Sequence, residues 1–350
     1  MKNSINFTVY SGESHEYFDL ERDYMYTSLQ LKNFRGYENF QTNLNRITLI
    51  GGENNKGKTS ILEALYMLNG YTSHDIFSRI ANFRSGNSSY YNHGITTDVL
   101  FEPIFHNMNL DNTIEINTDK VKFSIGKSVR IPISSNRNYN SMNPMGSIDS
   151  FENLFCKVEK DDQVFDGDYI LVDDKYGQRL VLKGPDDESP IPLSQVSFFS
   201  SRSGLYTGEI AESLGKIELK NQKQRMIQVL QILDKDITDV LTVFVKGSPQ
   251  VYIVKENNKL PLNIMGDGIK KIIDIAITIV TKPNSLVLID EVENGIHRSL
   301  LGEFWRVLAT LSKEENVQVI VTTHSNEYIE DAKNGVAQAG LAEEFTYIKL

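Results

Sequence analysis

The chain has 350 residues, 40% of them hydrophobic and 23% charged, with acids outnumbering Lys and Arg to a formal net charge of −10. That length exceeds one typical domain and allows a sizeable core, and the composition excludes bulk disorder. Cys156 is the single cysteine, which excludes an internal disulfide or a cysteine-rich zinc site, and the acidic balance argues against coating nucleic acid over the whole surface, although a local basic groove stays open.

Residues 1–25 are acidic and weakly patterned and read as an N-terminal extension, either an edge strand or an arm. No signal-peptide core and no run of about 18 apolar residues occurs, so the expectation is a cytoplasmic protein without a membrane span. A first lobe, residues 26–74, opens with "SLQLKNF", which alternates at Leu29, Leu31 and Phe34, turns at "RGYEN" and resumes as a second extended segment. "RITLIGG" is a short buried strand. "KTSILEALYMLNG" then spaces Ile61, Leu62, Leu65 and Leu68 on one helical face, with Gly70 as the stop.

Residues 75–205 are loop-rich and read as a β-rich insertion and lid. "DVLFEPIFHNMNLDNTIEINTDKVKFSIG" gives a helical or extended stretch followed by strands, "SSNRNYNSMNPMGS" a polar loop, and "FENLFCKVEKDDQVFDGDYILVDDKYGQRLVLKG" an antiparallel meander. From 206 to 350 the pattern turns to helices and core strands. "GEIAESLGKIEL" and "NQKQRMIQVLQILDKD" are helical, "PQVYIVKENNKLPLN" is a hairpin and "GDGIKKIIDIAITIV" a buried helix. "SLVLID" and "VQVIVTTHS" are parallel-type core strands around the amphipathic "HRSLLGEFWRVLATLSKEE". The fold class predicted is α/β, with a mixed or parallel core sheet, an antiparallel β subdomain and a helical or insertion region.

Three motifs carry chemistry. "GENNKGKT" satisfies the full phosphate-loop pattern between a strand and a helix, with Gly52, Glu53, Asn54, Asn55, Lys56, Gly57, Lys58, Thr59 and Ser60 as the binding segment. Such a loop turns consecutive N–H groups toward phosphate oxygens, and the helix dipole adds favourable potential. Lys58 would reach the terminal phosphates and Thr59 would hold magnesium. The bland alternative is a glycine-rich turn without a ligand.

"SLVLIDEVENGIH" ends an apolar strand in two carboxylates, where ligands bind in open α/β sheets. Asp290 would orient a water on magnesium, and Glu291 would position the attacking water or take its proton; two surface acids in ion pairs are the alternative. On the next strand, "VIVTTHSNEY" ends at His324, able to contact a terminal phosphate or to serve only the structure.

These motifs, in this order and with roughly 230 residues between the first two, resemble the ABC-type ATPase heads of the RecF, SMC and OLD groups, over residues 26–70 and 190–350. The resemblance implies ATP and Mg2+ as cofactors and a second copy as partner, engaged head to tail as a dimer or within a higher homo-oligomer. Each phosphate loop would be closed by a signature motif from the other copy. The signature candidate is "LNIMGDGIKK", with Met265 where the family has serine and Gly266, Asp267 and Gly268 as backbone contacts. Lys270 or Lys271 could add charge; an ordinary loop-to-helix start is the alternative.

Closer still, "PLNIMGDGIKKIIDIA", "LVLIDEVENGIHRSLLGEFWRVL" and "VQVIVTTHSNEYIEDA" resemble the stand-alone OLD-like ATPases, labelled AAA-family, of prokaryotic phage-defence operons, such as the ATPase subunit of PARIS-like systems. This implies an ATP-hydrolysing switch that controls a separate toxin or nuclease effector, TOPRIM-type in some members, in response to a phage-encoded trigger. The alternative is a DNA-repair ATPase of the RecF-like kind, which would bind DNA. Residues 71–260 show no heptads, unlike heads that carry a coiled coil. The sequence stops at "FTYIKL", where fused OLD nucleases continue into a TOPRIM domain, and its strand-like finish leaves a further tail open.

Relatives also place a lid glutamine some tens of residues after the phosphate loop, whereas the first glutamine after Thr59 is Gln163. "FEPIFHNMN", with His106 or Asn107 facing the site, is the local candidate, against a packed hairpin edge. At the front, "LKNFRGYENF" matches the family's first hairpin, making Arg35 and Lys32 nucleotide contacts or, equally, parts of a solvated turn.

Overall fold

The computed structural model describes residues 25–85, 100–128, 153–174, 177–200, 207–256, 258–325 and 327–350. The arm expected at 1–24 and the polar loop expected at 134–147 lie outside the described residues. The chain opens with the predicted hairpin, β1 (Ser28–Phe34) and β2 (Tyr37–Asn43), followed by β3 (Ile47–Gly51), the glycine-rich loop and helix α1 (Lys58–Gly70). Helix α2 (Ile76–Ser85), which the sequence pattern does not announce, comes next.

β4 (Ile114–Thr118), β5 (Val121–Lys127), β6 (Leu154–Lys160), β7 (Gln163–Asp174) and β8 (Gly177–Lys183) then add to the first hairpin. Together they form a seven-stranded sheet in the order β2-β1-β4-β5-β6-β7-β8, antiparallel at every pairing. The meander's alternation shows why: Leu154, Cys156 and Val158 are buried while Phe155, Lys157 and Glu159 are only partly so.

β9 (Val196–Phe199), within the segment expected to be insertion and lid, is an edge strand of the core sheet. Helices α3 (Thr207–Leu219) and α4 (Lys223–Leu233) lead to a three-stranded antiparallel sheet of β10 (Ile237–Val245), β11 (Ser248–Lys255) and β12 (Asn258–Pro261). After α5 (Asp267–Thr281) come β13 (Leu286–Ile289), α6 (Leu301–Glu314), β14 (Gln318–Thr323), α7 (Glu327–Gln338) and β15 (Phe345–Lys349).

The core sheet runs β15-β3-β14-β13-β9, and each neighbouring pair is parallel. Its three inner strands, β3, β14 and β13, are buried along their whole length, which is why they read as mainly apolar runs without polar alternation, while the edge strands β15 and β9 are only partly buried. Leu49, Val287, Ile289, Val319 and Val321 face one core with α5 and α6, while Ile50, Leu286, Leu288 and Ile320 face a second core with α1 and the seven-stranded sheet. The expected α/β class is therefore present, with a core sheet that is wholly parallel among the described residues. Register aligns the strand ends: Gly51 lies level with Thr323, and Ile289 with Val321. The phosphate loop, Asp290 and His324 consequently leave the same edge of the sheet.

Candidate functional site

The loop from Gly52 to Gly57 crosses from β3 to α1 with Glu53, Asn54, Asn55 and Lys56 exposed along its outer side. Gly57 has φ +88°, and a Cβ there would meet the Tyr37 hydroxyl at 2.6 Å, so only glycine fits. Tyr37 also donates to the Lys56 carbonyl at 3.1 Å, which ties the first hairpin to the loop. No side chain caps the start of α1, so its first N–H groups stay available to an anion. Ser60, the last residue of the predicted binding segment, is buried in the first turn.

Lys58 is buried, and its Nζ donates to the carbonyls of Gly52 and Glu53, both at 2.7 Å. Burial pushes the ammonium below its ordinary pKa, while Glu291, Glu293 and Asp290 pull it back up. A cation is thus held within the curl of the loop by hydrogen bonds to two backbone oxygens, with three carboxylates acting on it at longer range.

Across the sheet edge, Asp290 is 6% exposed. The Thr59 hydroxyl donates to both of its carboxylate oxygens at 3.1 Å, and the Thr322 hydroxyl donates to Oδ1 at 2.7 Å. Thr322 in turn accepts the Glu291 N–H at 2.8 Å. This chain, Glu291 N–H to Thr322 to Asp290, joins the two acids through one buried hydroxyl. Burial pushes the Asp290 carboxyl above its ordinary pKa, against the hydrogen bonds from Thr322 and Thr59.

Glu291 has φ +44°, a left-handed conformation costly for a residue with a Cβ. Its Oε2 accepts from Asn294 Nδ2 at 2.6 Å, which orients the carboxylate from within its own turn. His324 is tied to the same turn: its Nδ1 lies 2.6 Å from Glu293 Oε1. Lys58, Thr59, Asp290, Glu291 and His324 therefore gather at one edge, as their positions in the sequence imply.

Other candidates are engaged elsewhere. The Arg35 Nε pairs with the fully buried Glu63 of α1 at 3.1 Å, and its Nη1 donates to the Pro103 carbonyl at 2.7 Å. Lys32 pairs with Glu115 on the neighbouring strand. His106 Nδ1 lies 2.9 Å from the Arg35 carbonyl, so "FEPIFHNMN" packs on the hairpin turn, with Asn107 exposed at φ +55°.

In the signature candidate, Gly266 is the uncapped N-cap of α5, and a Cβ on it would meet nothing within 4 Å. Asp267 begins the helix. Gly268 differs: a Cβ would lie 2.2 Å from the Gly295 carbonyl, so the helix abuts the turn that carries Glu291. Lys271 Nζ donates to the carbonyls of Glu291 and Asn294, both at 3.2 Å, and so is occupied within its own molecule. Lys270 is partly exposed.

Thr322, Glu293, Tyr37 and Glu63 are the site residues that sequence reasoning missed. Glu293 carried a signal, as a third acid in "DEVENG". Thr322 carried one as well, two residues before His324 on the strand beside Asp290.

The donor set suits a small hard cation. Thr59 and Asp290 offer only oxygen, and a cation beside this carboxylate would favour the charged form that burial disfavours. Thr59 and Asp290 are the residues that would hold magnesium.

Residues 47–330 match the family described as "AAA domain, putative AbiEii toxin, Type IV TA system". The chain belongs to that family. The match runs from the phosphate-loop strand through His324, so it contains every motif of the sheet edge. A relative from Helicobacter pylori (strain ATCC 700392 / 26695), "ATP/GTP phosphatase", is 25% identical over 331 residues, covering 87% of each chain. "Uncharacterized protein MJECL11" of Methanocaldococcus jannaschii is 33% identical over 85 residues, 24% of this chain and 75% of that protein. Among solved structures, the chain is similar to the SMC head domain from Thermotoga maritima, at TM-score 0.41 and 14% identity, covering 88% of this chain and 92% of that one. It is also similar to an SmcHead bound to the C-winged helix domain of ScpA, at TM-score 0.45, 14% identity and the same coverages. Among the described residues no helix is long and apolar enough to cross a membrane.

Proposed function

We infer that this AAA-domain ATPase is a magnesium-dependent ATP hydrolase that works as a switch, completing its site between two copies and controlling a separate effector. One observation carries the hydrolase reading: the hydrogen-bond chain from Glu291 N–H through Thr322 to Asp290 and Thr59, directly beside the Lys58 loop. It supports the reading because it ties the backbone of Glu291, the acid proposed for water, to Asp290, the acid proposed for the cation, beside the glycine-rich loop. The printed name of the Helicobacter pylori relative, a phosphatase of ATP and GTP, is compatible with this.

In the reaction, the oxygen of a water bonds to the terminal phosphorus, the bond from that phosphorus to the bridging oxygen breaks, and the nucleoside diphosphate leaves. Glu291 receives the water's proton. Magnesium supplies charge neutralisation to the phosphate oxygens when bound. Lys58 and the N–H groups of the loop and of α1 hold the same oxygens, and loss of one such donor costs about 3 to 4 kcal/mol of barrier.

The switch reading rests on the resemblance to stand-alone phage-defence ATPases and on the toxin–antitoxin wording of the family description. The uncapped start of α5 at Gly266 is the surface a second copy's phosphates would meet. The effector in this reading is a toxin or nuclease, TOPRIM-type in some systems of the kind the sequence resembles, released when a phage-encoded trigger is sensed.

The test is phosphate release measured against the protein's own concentration, with Lys58→Ala as the blank. Specific activity that rises with concentration is the expected result, and it supports a site completed across two copies. A flat rate above the blank supports a pre-assembled oligomer. A rate no higher than the blank at any concentration overturns a self-sufficient hydrolase and leaves turnover dependent on a partner.

A further inference from the structure

The turn after Asp290 holds a third carboxylate that hydrolysis, as derived, does not use. Glu293 has a side chain only 6% exposed, against 42% for His324. Its Oε1 accepts the backbone N–H of His324 at 2.7 Å and also lies 2.6 Å from the ring Nδ1. Its Oε2 is buried and makes no hydrogen bond. Leaving half of a buried carboxylate unsatisfied is costly, and a neutral side chain of similar shape would avoid that cost. What the charge offers in exchange is control of one residue on the neighbouring strand.

Two contacts to a single oxygen set both the backbone and the ring of His324. An imidazole nitrogen facing a carboxylate oxygen at this distance carries its proton there, so Nδ1 is the N–H and Nε2 is left for the site. The carboxylate is near enough to the phosphate loop for Lys58 and Lys271 to feel its charge. Glu293 thus stands behind His324 in the way that a carboxylate stands behind a catalytic histidine elsewhere.

We propose that Glu293 is a positioning residue of the hydrolytic site, acting through His324 by holding the imidazole in its Nδ1–H tautomer and in one orientation, so that Nε2 is presented to the terminal phosphate. This rests on the reading of the site as a triphosphate hydrolase with His324 at the terminal phosphate. A purely structural role, bracing the turn after Asp290 against β14, would tie neither the tautomer nor kcat to the acceptor oxygen of residue 293.

The full chain labelled with 15N-histidine gives six histidines to resolve, with His324→Gln identifying its own signal. Wild type is expected to show His324 as the Nδ1–H tautomer. Glu293→Met keeps the side-chain volume but removes the acceptor, and is expected to release the ring toward the Nε2–H form. Glu293→Gln keeps an acceptor oxygen and is expected to retain the wild-type tautomer.

In turnover assays, Glu293→Met should lower kcat by about 10- to 100-fold, as loss of an orienting partner does. KM and the affinity for a fluorescent triphosphate analogue should stay within about twofold, and Glu293→Gln should recover part of the loss. In a His324→Gln background Glu293→Met should cost nothing further. An Nε2–H tautomer in wild type, an unchanged tautomer in Glu293→Met, or additive losses in the double variant would each overturn the proposal. The tautomer is read without turnover. A chain with no hydrolysis and the expected tautomer shift would overturn a self-sufficient hydrolase while leaving the Glu293–His324 coupling standing.

Discussion

Asp290 carries its charge into a site where burial opposes it. In the folded chain this carboxyl holds its proton to a higher pH than in the unfolded chain. Its contribution to stability therefore falls as pH rises from the ordinary carboxylate range through the raised folded value, and is flat below that range. Asp290→Asn removes the penalty. In magnesium-free buffer at pH 7 the variant should melt above wild type, because the buried charge is gone. The gap should close as the buffer is acidified through the folded pKa, and the variant should lose magnesium-dependent stabilisation by nucleotide; a melting point below wild type at pH 7 would count against this account. Thr322 is a second case. Thr322→Val keeps the shape but leaves the Glu291 N–H and Asp290 Oδ1 without their shared partner. Chemical denaturation should show a loss of about 1 to 3 kcal/mol, and phosphate release should fall by more than nucleotide affinity does. With Glu291 held at φ +44° beside them, these residues trade stability for the arrangement of charge.

At the scale of elements, the start of α5 and the turn after β13 act as one unit. Gly268 admits the Gly295 carbonyl where a Cβ would sit, and Lys271 binds two carbonyls of the same turn. Gly268→Ala should therefore cost about 3 kcal/mol, the upper end for overpacking, read by denaturant midpoint. Gly266→Ala, with open space around it, should cost no more than about 1 kcal/mol, the ordinary N-cap preference. Equal costs would mean that the helix does not abut the turn. Much of this unit is legible in the sequence: β3, β13 and β14 carry apolar residues without polar alternation, and the acids and histidine that end two of them are local in sequence. The rest is not legible because it depends on partners far along the chain. Thr322 and Asp290 are 32 residues apart, and Arg35 leaves the nucleotide question for Glu63 of α1 only because the first hairpin packs on that helix. β10 escapes a sequence reading because Asp239 interrupts its alternation and Val243, Phe244 and Val245 lie exposed in succession at its end.

For the whole molecule, the parallel sheet is a wall shared by two cores, and nucleotide at its edge would touch elements anchored in both. α1 belongs to one core and α5 to the other, so a ligand that draws the phosphate loop and the turn after Asp290 together stabilises both at once. Such a coupling would suit the switch proposed above, and it needs no nucleic acid. The net charge of −10 points the same way, because each phosphate neutralised on duplex DNA requires a local cation and releases counterions. Phosphate release should accordingly be unchanged by added duplex DNA and should vary little between 50 and 200 mM salt, a range over which about 6 to 10 phosphate contacts would lower DNA affinity by roughly 1,000- to 100,000-fold. A DNA-stimulated rate whose stimulation disappears over that salt range would show a basic groove that the overall charge conceals, and would move the reading from effector control to a repair ATPase of the RecF-like kind.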